Sequence, residues 1–300
     1  MIELREGKRR KSASHLYEIC RAHDVRSVLD PFMGLPVHLN YLKRKGIAVH
    51  GADPLEWFVR VGEGIVVNDS VILRDFEIGE IVEVTPGRIY PPDRFRAWEG
   101  VFFTDEQCRY LSAWHENVKG LRSDGQTGLA ILGLWWAFAY WLQKMVCPDD
   151  LLDVAPSELA YAYIRKTERW VGDNARHNTI FHGAPLEAMQ RVAADAVILT
   201  APELEADDRS DARTWMWEAW WKGNPYQNVA PHIAPAAHAA DRADWRAAFA
   251  EQLETARKYP LAIVPTSAGE REHVETLLRE YRSSIRTREF SPEEIYVIAS

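Results

Sequence analysis

A turn that ends in glycine follows a predicted strand near the start of this chain, and an acid follows the next strand. The strand covers residues 27–29, the turn covers Asp30–Gly34, a helix over residues 37–45 follows, and a second strand over residues 48–51 leads to Asp53. In a doubly wound α/β sheet such a turn lies beside a nucleotide-like cofactor, and the second acid binds a ribose hydroxyl. The pattern therefore predicts a nucleotide-type site.

The elements that would position this site alternate between strand and helix. The later predicted elements are a helix at 185–193, a strand at 196–200, a helix at 241–258, a strand at 261–264, a helix at 270–281 and a strand at 294–299. Such alternation predicts an α/β fold with helices on both faces of the sheet. We expect the strands at 27–29, 48–51, 196–200 and 261–264 in one sheet, the first three of them parallel, with an antiparallel pair at its end.

A long helical stretch interrupts this alternation. Residues 104–147 predict two helices, the first after a capping sequence at Thr104 and the second after Ser123-Asp124-Gly125. The apolar run 129–142 is shorter than the roughly 20 residues of a membrane span, so we expect a buried helix. The strip before it is less regular and contains a strand-like segment at 81–84. We therefore expect residues 1–100 and 151–300 to form the two parts of one domain, with 101–150 as a helical insertion.

Composition limits the function classes. The 300 residues carry a formal net charge of −8, which excludes a protein that binds nucleic acid through its overall charge. The three cysteines form no paired framework, and the N-terminus is charged, so we expect a cytoplasmic protein without a signal peptide. The histidines lack the spacing of a zinc site, and no metal is expected.

Taken in order, these segments resemble the DNA adenine methyltransferases of the Dam type, which methylate the exocyclic amine of adenine with S-adenosylmethionine. The resemblance covers most of the chain and implies a Rossmann-like methyltransferase fold. It implies that Gly7 and Lys8, before a helix over residues 12–22, hold the methionine end of the cofactor. It also implies cofactor binding by Asp30, Pro31, Phe32 and Gly34, a ribose contact at Asp53, and a strand-end pair at Asn68-Asp69.

The catalytic motif of that family departs most from its pattern here. The family has Asp, Asn or Ser followed by Pro-Pro and an aromatic residue, which accept hydrogen bonds from the amine and stack on the flipped base. This chain has Thr200, Ala201, Pro202 and Glu203 instead. Threonine is neutral and Glu203 cannot stack, so the resemblance implies a degenerate motif and weak catalysis.

Two further departures affect the cofactor site. Leu35-Pro36 stands where the family has a second glycine, and proline suits a helix start but removes backbone freedom from the turn. His182-Gly183 stands where the family has an acid near the adenine ring.

Three functions remain open on the sequence. The first is a weakly active or non-catalytic DNA-modification subunit that works beside an active methyltransferase. The second is an active adenine methyltransferase in which Thr200 and the carbonyl of Ala201 accept from the amine. The third is an unrelated α/β transferase of small molecules.

Two clusters have competing interpretations. Tryptophans 215, 217, 220 and 221 could stack on nucleotide bases, although packing in a core or an interface is the more usual role of such a group. The basic run 8–11 could contact phosphate or the carboxylate of the cofactor, or it could be a solvated charged face.

Overall fold

A seven-stranded mixed sheet with helices on both faces forms the centre of the protein. This computed structural model describes residues 2–91, 94–144, 154–200, 208–225 and 242–300. The strands are β1 Ser27–Asp30, β2 Ala48–Asp53, β3 Thr179–His182, β4 Ala196–Ile198, β5 Leu261–Thr266, β6 Ile285–Ser291 and β7 Glu294–Ala299. Their order across the sheet is β3-β2-β1-β4-β5-β7-β6.

Strand direction follows the sequence prediction closely. β1 pairs in parallel with β2 on one side and with β4 on the other, and β4 continues in parallel to β5. β7 is antiparallel to both β5 and β6. The predicted single sheet, its parallel first strands and its antiparallel end are therefore confirmed. Two strands were not predicted, namely β3 and β6.

The helices lie on both faces of the sheet because alternate residues of each strand point to opposite sides. Val28 of β1 packs with the cluster on one face, and its neighbour Leu29 packs with the cluster on the other. The helices of the first face are α1 Ile2–Ala22, α2 Val37–Arg44, α3 Glu56–Gly62, α4 Asp75–Val82, α5 Asp105–Lys119, α6 Asp124–Lys144, α7 Pro156–Arg165 and α9 Asp208–Lys222. Those of the second face are α8 Pro185–Arg191, α10 Arg242–Ala256 and α11 Arg271–Tyr281.

The two predicted helices between residues 104 and 147 are present as α5 and α6. α5 begins after Thr104, whose hydroxyl accepts from the Gln107 amide at 3.2 Å, as a capping box requires. The apolar run of α6 is largely buried, with Leu129, Ile131 and Phe138 fully covered. Among the described residues, no helix combines the length and the apolar character that a membrane crossing needs.

Three local predictions were wrong. The first two residues of the strand-like segment at 81–84 are the end of α4, because Ile78, Ile81 and Val82 are buried at helical spacing along its inner face. The predicted strand end at Asn68-Asp69 follows a π-helical turn over Glu63–Val67 that continues α3. The first helix begins at Ile2 instead of at residue 12.

Candidate functional site

The carboxyl ends of the five parallel strands, β1 to β5, meet at one edge of the sheet, which we call the carboxyl edge. Asp30 is the last residue of β1 and Asp53 is the last residue of β2. His182 ends β3 directly opposite Asp53, and Thr200 follows the end of β4. The chain leaves β1 towards β2 on one side while β4 pairs on the other, so Asp30 lies at the switch point where open α/β sheets bind ligands.

The turn after β1 is fixed to the end of β2 by hydrogen bonds. The amide of Gly34 donates to Asp53 Oδ2 at 3.0 Å, and the amide of Met33 donates to the carbonyl of Ala52 at 3.2 Å. Gly34 has a φ of +50°, and no atom lies within 4 Å of the place where a side chain would begin. The glycine therefore allows a left-handed turn and leaves open space above it.

Asp30 and Asp53 are both almost covered by protein. Asp30 Oδ1 accepts from the Phe32 amide at 3.1 Å, and Asp53 Oδ1 accepts from the Leu55 amide at 2.8 Å. Burial raises the pKa of each carboxyl group to about 7, despite these backbone donors. The charge of Asp30 adds to the rise at Asp53, so the two acids disfavour each other's ionisation.

A third acid, which sequence reasoning missed, joins this edge from α9. The carboxylate of Glu218 accepts from the Trp57 amide at 3.1 Å and from the Glu56 amide at 3.3 Å. It thus caps the first turn of α3, whose free N–H groups attract negative charge. Its charge also raises the pKa of Asp53. The available signal was that Glu218 is the sole acid within the tryptophan-rich run 214–222.

The charge of Glu218 is balanced by a polar cluster at the outer side of α3. Lys222 Nζ lies 3.8 Å from Glu218 Oε1 and also contacts the carboxylate of Glu56. Burial works against ionisation of Glu56, but its bond to Lys222, with help from Arg60, lowers its pKa to about 2. The cluster ties α9 to α3 beside the carboxyl edge.

His182 and Thr200 occupy the two flanks of this edge. His182 is exposed, and its Nε2 lies 3.1 Å from the carbonyl oxygen of Pro54. Thr200 is also exposed. The residue before it, Leu199, is still bound to β5, because its amide donates to the carbonyl of Ile263 at 2.9 Å. The other positions of the predicted catalytic motif, Ala201, Pro202 and Glu203, lie outside the described residues.

Gly7 and Lys8 lie within α1 and do not precede it, because that helix extends back to Ile2. Ser12 Oγ in the same helix is 3.2 Å from His38 Nε2 in the first turn of α2.

The tryptophan cluster belongs to the core. Trp217 and Trp220 stack with ring centres 4.1 Å apart, and both are fully buried. Trp217 also packs on Phe138 of α6 at 4.7 Å. These rings hold α9 against the helices that follow β2, so they are not a surface for stacking bases.

Replacing Asp30 with asparagine should change how stability depends on pH. The pKa of Asp30 is about 7 in the folded protein and near 3.8 in the unfolded chain. Between these values the folded protein holds a proton that the unfolded chain has lost, so the free energy of unfolding falls as pH rises from about 4 to about 7. Asp30→Asn keeps an acceptor for the Phe32 amide. It should gain stability relative to the wild type by about 1.4 kcal/mol for each pH unit across that range. Urea unfolding at several pH values measures this, and parallel profiles for the two proteins would contradict it.

Comparison with known proteins adds no family to this geometry. The sequence matches no protein-family model, and no curated protein matches it.

Within the part of the chain that the structure describes, no three His, Cys, Asp or Glu side chains are grouped to hold a metal ion.

Proposed function

We propose that this protein is a DNA-modification subunit of the adenine-N6 methyltransferase type, which binds S-adenosylmethionine at the carboxyl edge and works beside an active partner. The observation that carries the proposal is the meeting of Asp30, the Gly34 turn and Asp53 at the switch point of a sheet ordered β3-β2-β1-β4-β5. That order begins like the nucleotide-binding sheet, in which the ligand lies over the first turn and the second acid takes the ribose.

The chemistry of the edge favours S-adenosylmethionine over a dinucleotide. The turn has one glycine followed by Leu35-Pro36, so it lacks the glycine-rich loop that accommodates a pyrophosphate. The carboxyl groups of Asp30, Asp53 and Glu218 supply no positive charge for a phosphate, and their ionised forms repel one. The same ionised forms attract the sulfonium and ammonium charges of S-adenosylmethionine, and a cation bound beside them favours their ionisation. An adenosine ligand with a cationic end therefore fits this edge.

Weak catalysis follows from the motif after β4. Thr200 offers a neutral hydroxyl, and Glu203 supplies no aromatic ring. Transfer of a methyl group to an amine depends on acceptors that orient the nitrogen and on stacking that holds the base. With these contacts reduced, the protein retains a cofactor-type site and the capacity to bind, while a partner carries the reaction.

Exposed apolar side chains support the presence of a protein partner. Large apolar residues with substantial exposure all fall between residues 67 and 102 in the described part of the chain. They are Val67, Val71, Ile72, Phe76, Val84, Ile89, Val101 and Phe102. Contiguous apolar exposure marks protein interfaces, and the closeness of these residues in sequence is what favours one here.

Titration calorimetry with S-adenosylmethionine tests the cofactor site. We expect binding by the wild-type chain, and Asp53→Ala should weaken it by about 1.5–3 kcal/mol, the scale of a hydrogen bond to a charged group. The Asp53 carboxylate also accepts hydrogen bonds from the amides of Gly34 and Leu55. A thermal unfolding curve of the variant therefore has to show that it is folded at the titration temperature. Equal affinity in a folded Asp53→Ala variant would reject this placement.

A further inference from the structure

A group of exposed cations lies at the opposite, amino edge of the sheet, although the chain as a whole carries a net charge of −8. The group comprises residues from the end of α2 and from the segment between α7 and β3. Its members are Arg44, Lys45, Lys166, Arg169 and Arg176, all of them exposed. We call it the amino-edge basic surface.

Direct contacts join the two segments that carry these cations. Arg44 Nη1 donates to the carbonyl of Arg169 at 3.1 Å, and Asn40 Nδ2 donates to the carbonyl of Trp170 at 2.7 Å. Farther along, Asn174 Nδ2 donates to the carbonyl of Ile47 at 2.8 Å. These bonds hold the two backbone segments that carry the cations against each other.

Acidic groups near this surface are already engaged. The carboxylate of Glu168 pairs with Arg165, and Asp173 Oδ1 accepts from the Ala175 amide at 2.7 Å. Asp69, on the neighbouring loop, pairs with the buried Lys43 at 2.8 Å. Glu168, Asp173 and Asp69 are three acids against the five exposed cations, with Arg165 and Lys43 as two further cations, so positive charge is in excess here.

The aromatic rings near these cations are in contact with the cations themselves and are at least half-buried. Lys45 Nζ is 5.4 Å from the ring centre of Tyr41, and Lys166 Nζ is 5.0 Å from that of Tyr163. Both rings are half-buried, and Trp170 under Arg169 is buried. Single strands are bound largely by base stacking on exposed rings, which this surface does not offer. Charge without stacking fits the phosphate backbone of a duplex.

We propose that the amino-edge basic surface binds the phosphate backbone of double-stranded DNA. The choice of DNA as the polyanion rests on the proposed function. β2 separates this surface from Asp53 by its six residues, a distance of about 20 Å. Duplex held here lies away from the carboxyl edge of this chain, as we expect of a subunit whose partner carries the reaction.

The test compares two triple variants that remove the same charge from different places. Lys45→Gln, Lys166→Gln and Arg176→Gln change the basic surface. Arg191→Gln, Arg246→Gln and Arg257→Gln change exposed arginines on α8, on α10 and directly after α10. Binding of a labelled duplex is followed by fluorescence anisotropy from about 50 to about 200 mM salt, the range over which counterion release is measurable. Thermal unfolding verifies that both variants are folded.

We expect the wild type and the control triple to bind duplex with the same steep salt dependence. The first triple should lose about tenfold or more in affinity at low salt, and the slope of log K against log salt should become shallower by about 2–3. Equal affinities for the two triples, or no salt-dependent duplex binding by the wild type, would overturn the inference. Binding to vesicles of anionic lipid in preference to duplex would also overturn it.

The same variants separate this inference from the cofactor proposal. If the first triple variant binds S-adenosylmethionine like the wild type but no longer binds duplex, both the DNA surface and the cofactor site stand. If S-adenosylmethionine binds and the two triples bind duplex equally, only the DNA surface is refuted. If the first triple alone loses duplex and no protein binds the cofactor, the DNA surface stands and the cofactor site is refuted.

Discussion

Replacing Gly128 with alanine is expected to lower the free energy of unfolding by about 3 kcal/mol or more. Gly128 lies in α6 where that helix crosses α3 and its π-helical continuation. A methyl group there would collide with the carbonyl oxygen of Arg60 and lie 2.6 Å from the amide nitrogen of Gly64. Both neighbours are backbone atoms, so the helices must separate to relieve the clash.

Gly79→Ala is the matched control for this change. Gly79 lies within α4, and no atom is within 4 Å of the added methyl group. Alanine should therefore stabilise that helix by about 0.5–1 kcal/mol, because glycine loses more backbone entropy on folding. Thermal unfolding should show a drop of about 6 °C or more for Gly128→Ala and a small rise for Gly79→Ala. Similar melting temperatures for the two variants would contradict the close packing of α6 on α3.

The second large effect concerns methyl transfer. The purified chain should methylate adenine in DNA at a rate about 10³-fold or more below that of an enzyme with an intact motif. A missing oriented polar contact removes about 3–4 kcal/mol of transition-state stabilisation, and missing base stacking removes about 1–3 kcal/mol more. Incorporation of labelled methyl groups into mixed-sequence DNA measures this rate.

Variants at the motif show whether a low rate is caused by the motif itself or by the rest of the site. Thr200→Asp combined with Glu203→Tyr restores an acid and an aromatic ring at the motif, and weak activity should return if the rest of the site is intact. Rapid turnover by the unmodified chain, abolished by Thr200→Ala, would instead show an active methyltransferase and refute the role of a partner-dependent subunit.

The parts of the fold that could be predicted are those coded by adjacent residues. Asp30 and Asp53 were identified because each stands at the end of a buried strand, and strand ends of parallel sheets share an edge. The cap at Thr104 was identified because its partner Gln107 is three residues away. In both cases the types and spacing of neighbouring residues were sufficient for the prediction.

The missed features depend on contacts between distant residues or on weak local patterns. Glu218 reaches the Glu56 amide across 162 residues, and no local pattern specifies that contact. β3 is an edge strand with only half-buried residues and an exposed end, so it lacks the apolar run that marks a strand. Residues 81–84 are rich in the β-branched residues typical of strands, but the three buried positions of α4 have helical spacing, and tertiary packing decides between the two.

A pair of glycine variants tests the cofactor site most directly, without disturbing Asp53. Gly34 at the carboxyl edge and Gly46 at the amino edge both have positive φ, +50° and +86°, and both face space free of atoms within 4 Å. Asparagine tolerates this backbone region, so each substitution should cost about 1 kcal/mol or less of stability.

Calorimetric titration of S-adenosylmethionine into the wild type, Gly34→Asn and Gly46→Asn then gives the decisive comparison. We expect binding by the wild type and by Gly46→Asn with equal affinity. Gly34→Asn should lose at least tenfold in affinity, about 1.4 kcal/mol, because the new side chain fills the space over the turn where the cofactor lies. Absence of binding by the folded wild type, or equal affinity in all three proteins, would contradict a cofactor site at the carboxyl edge.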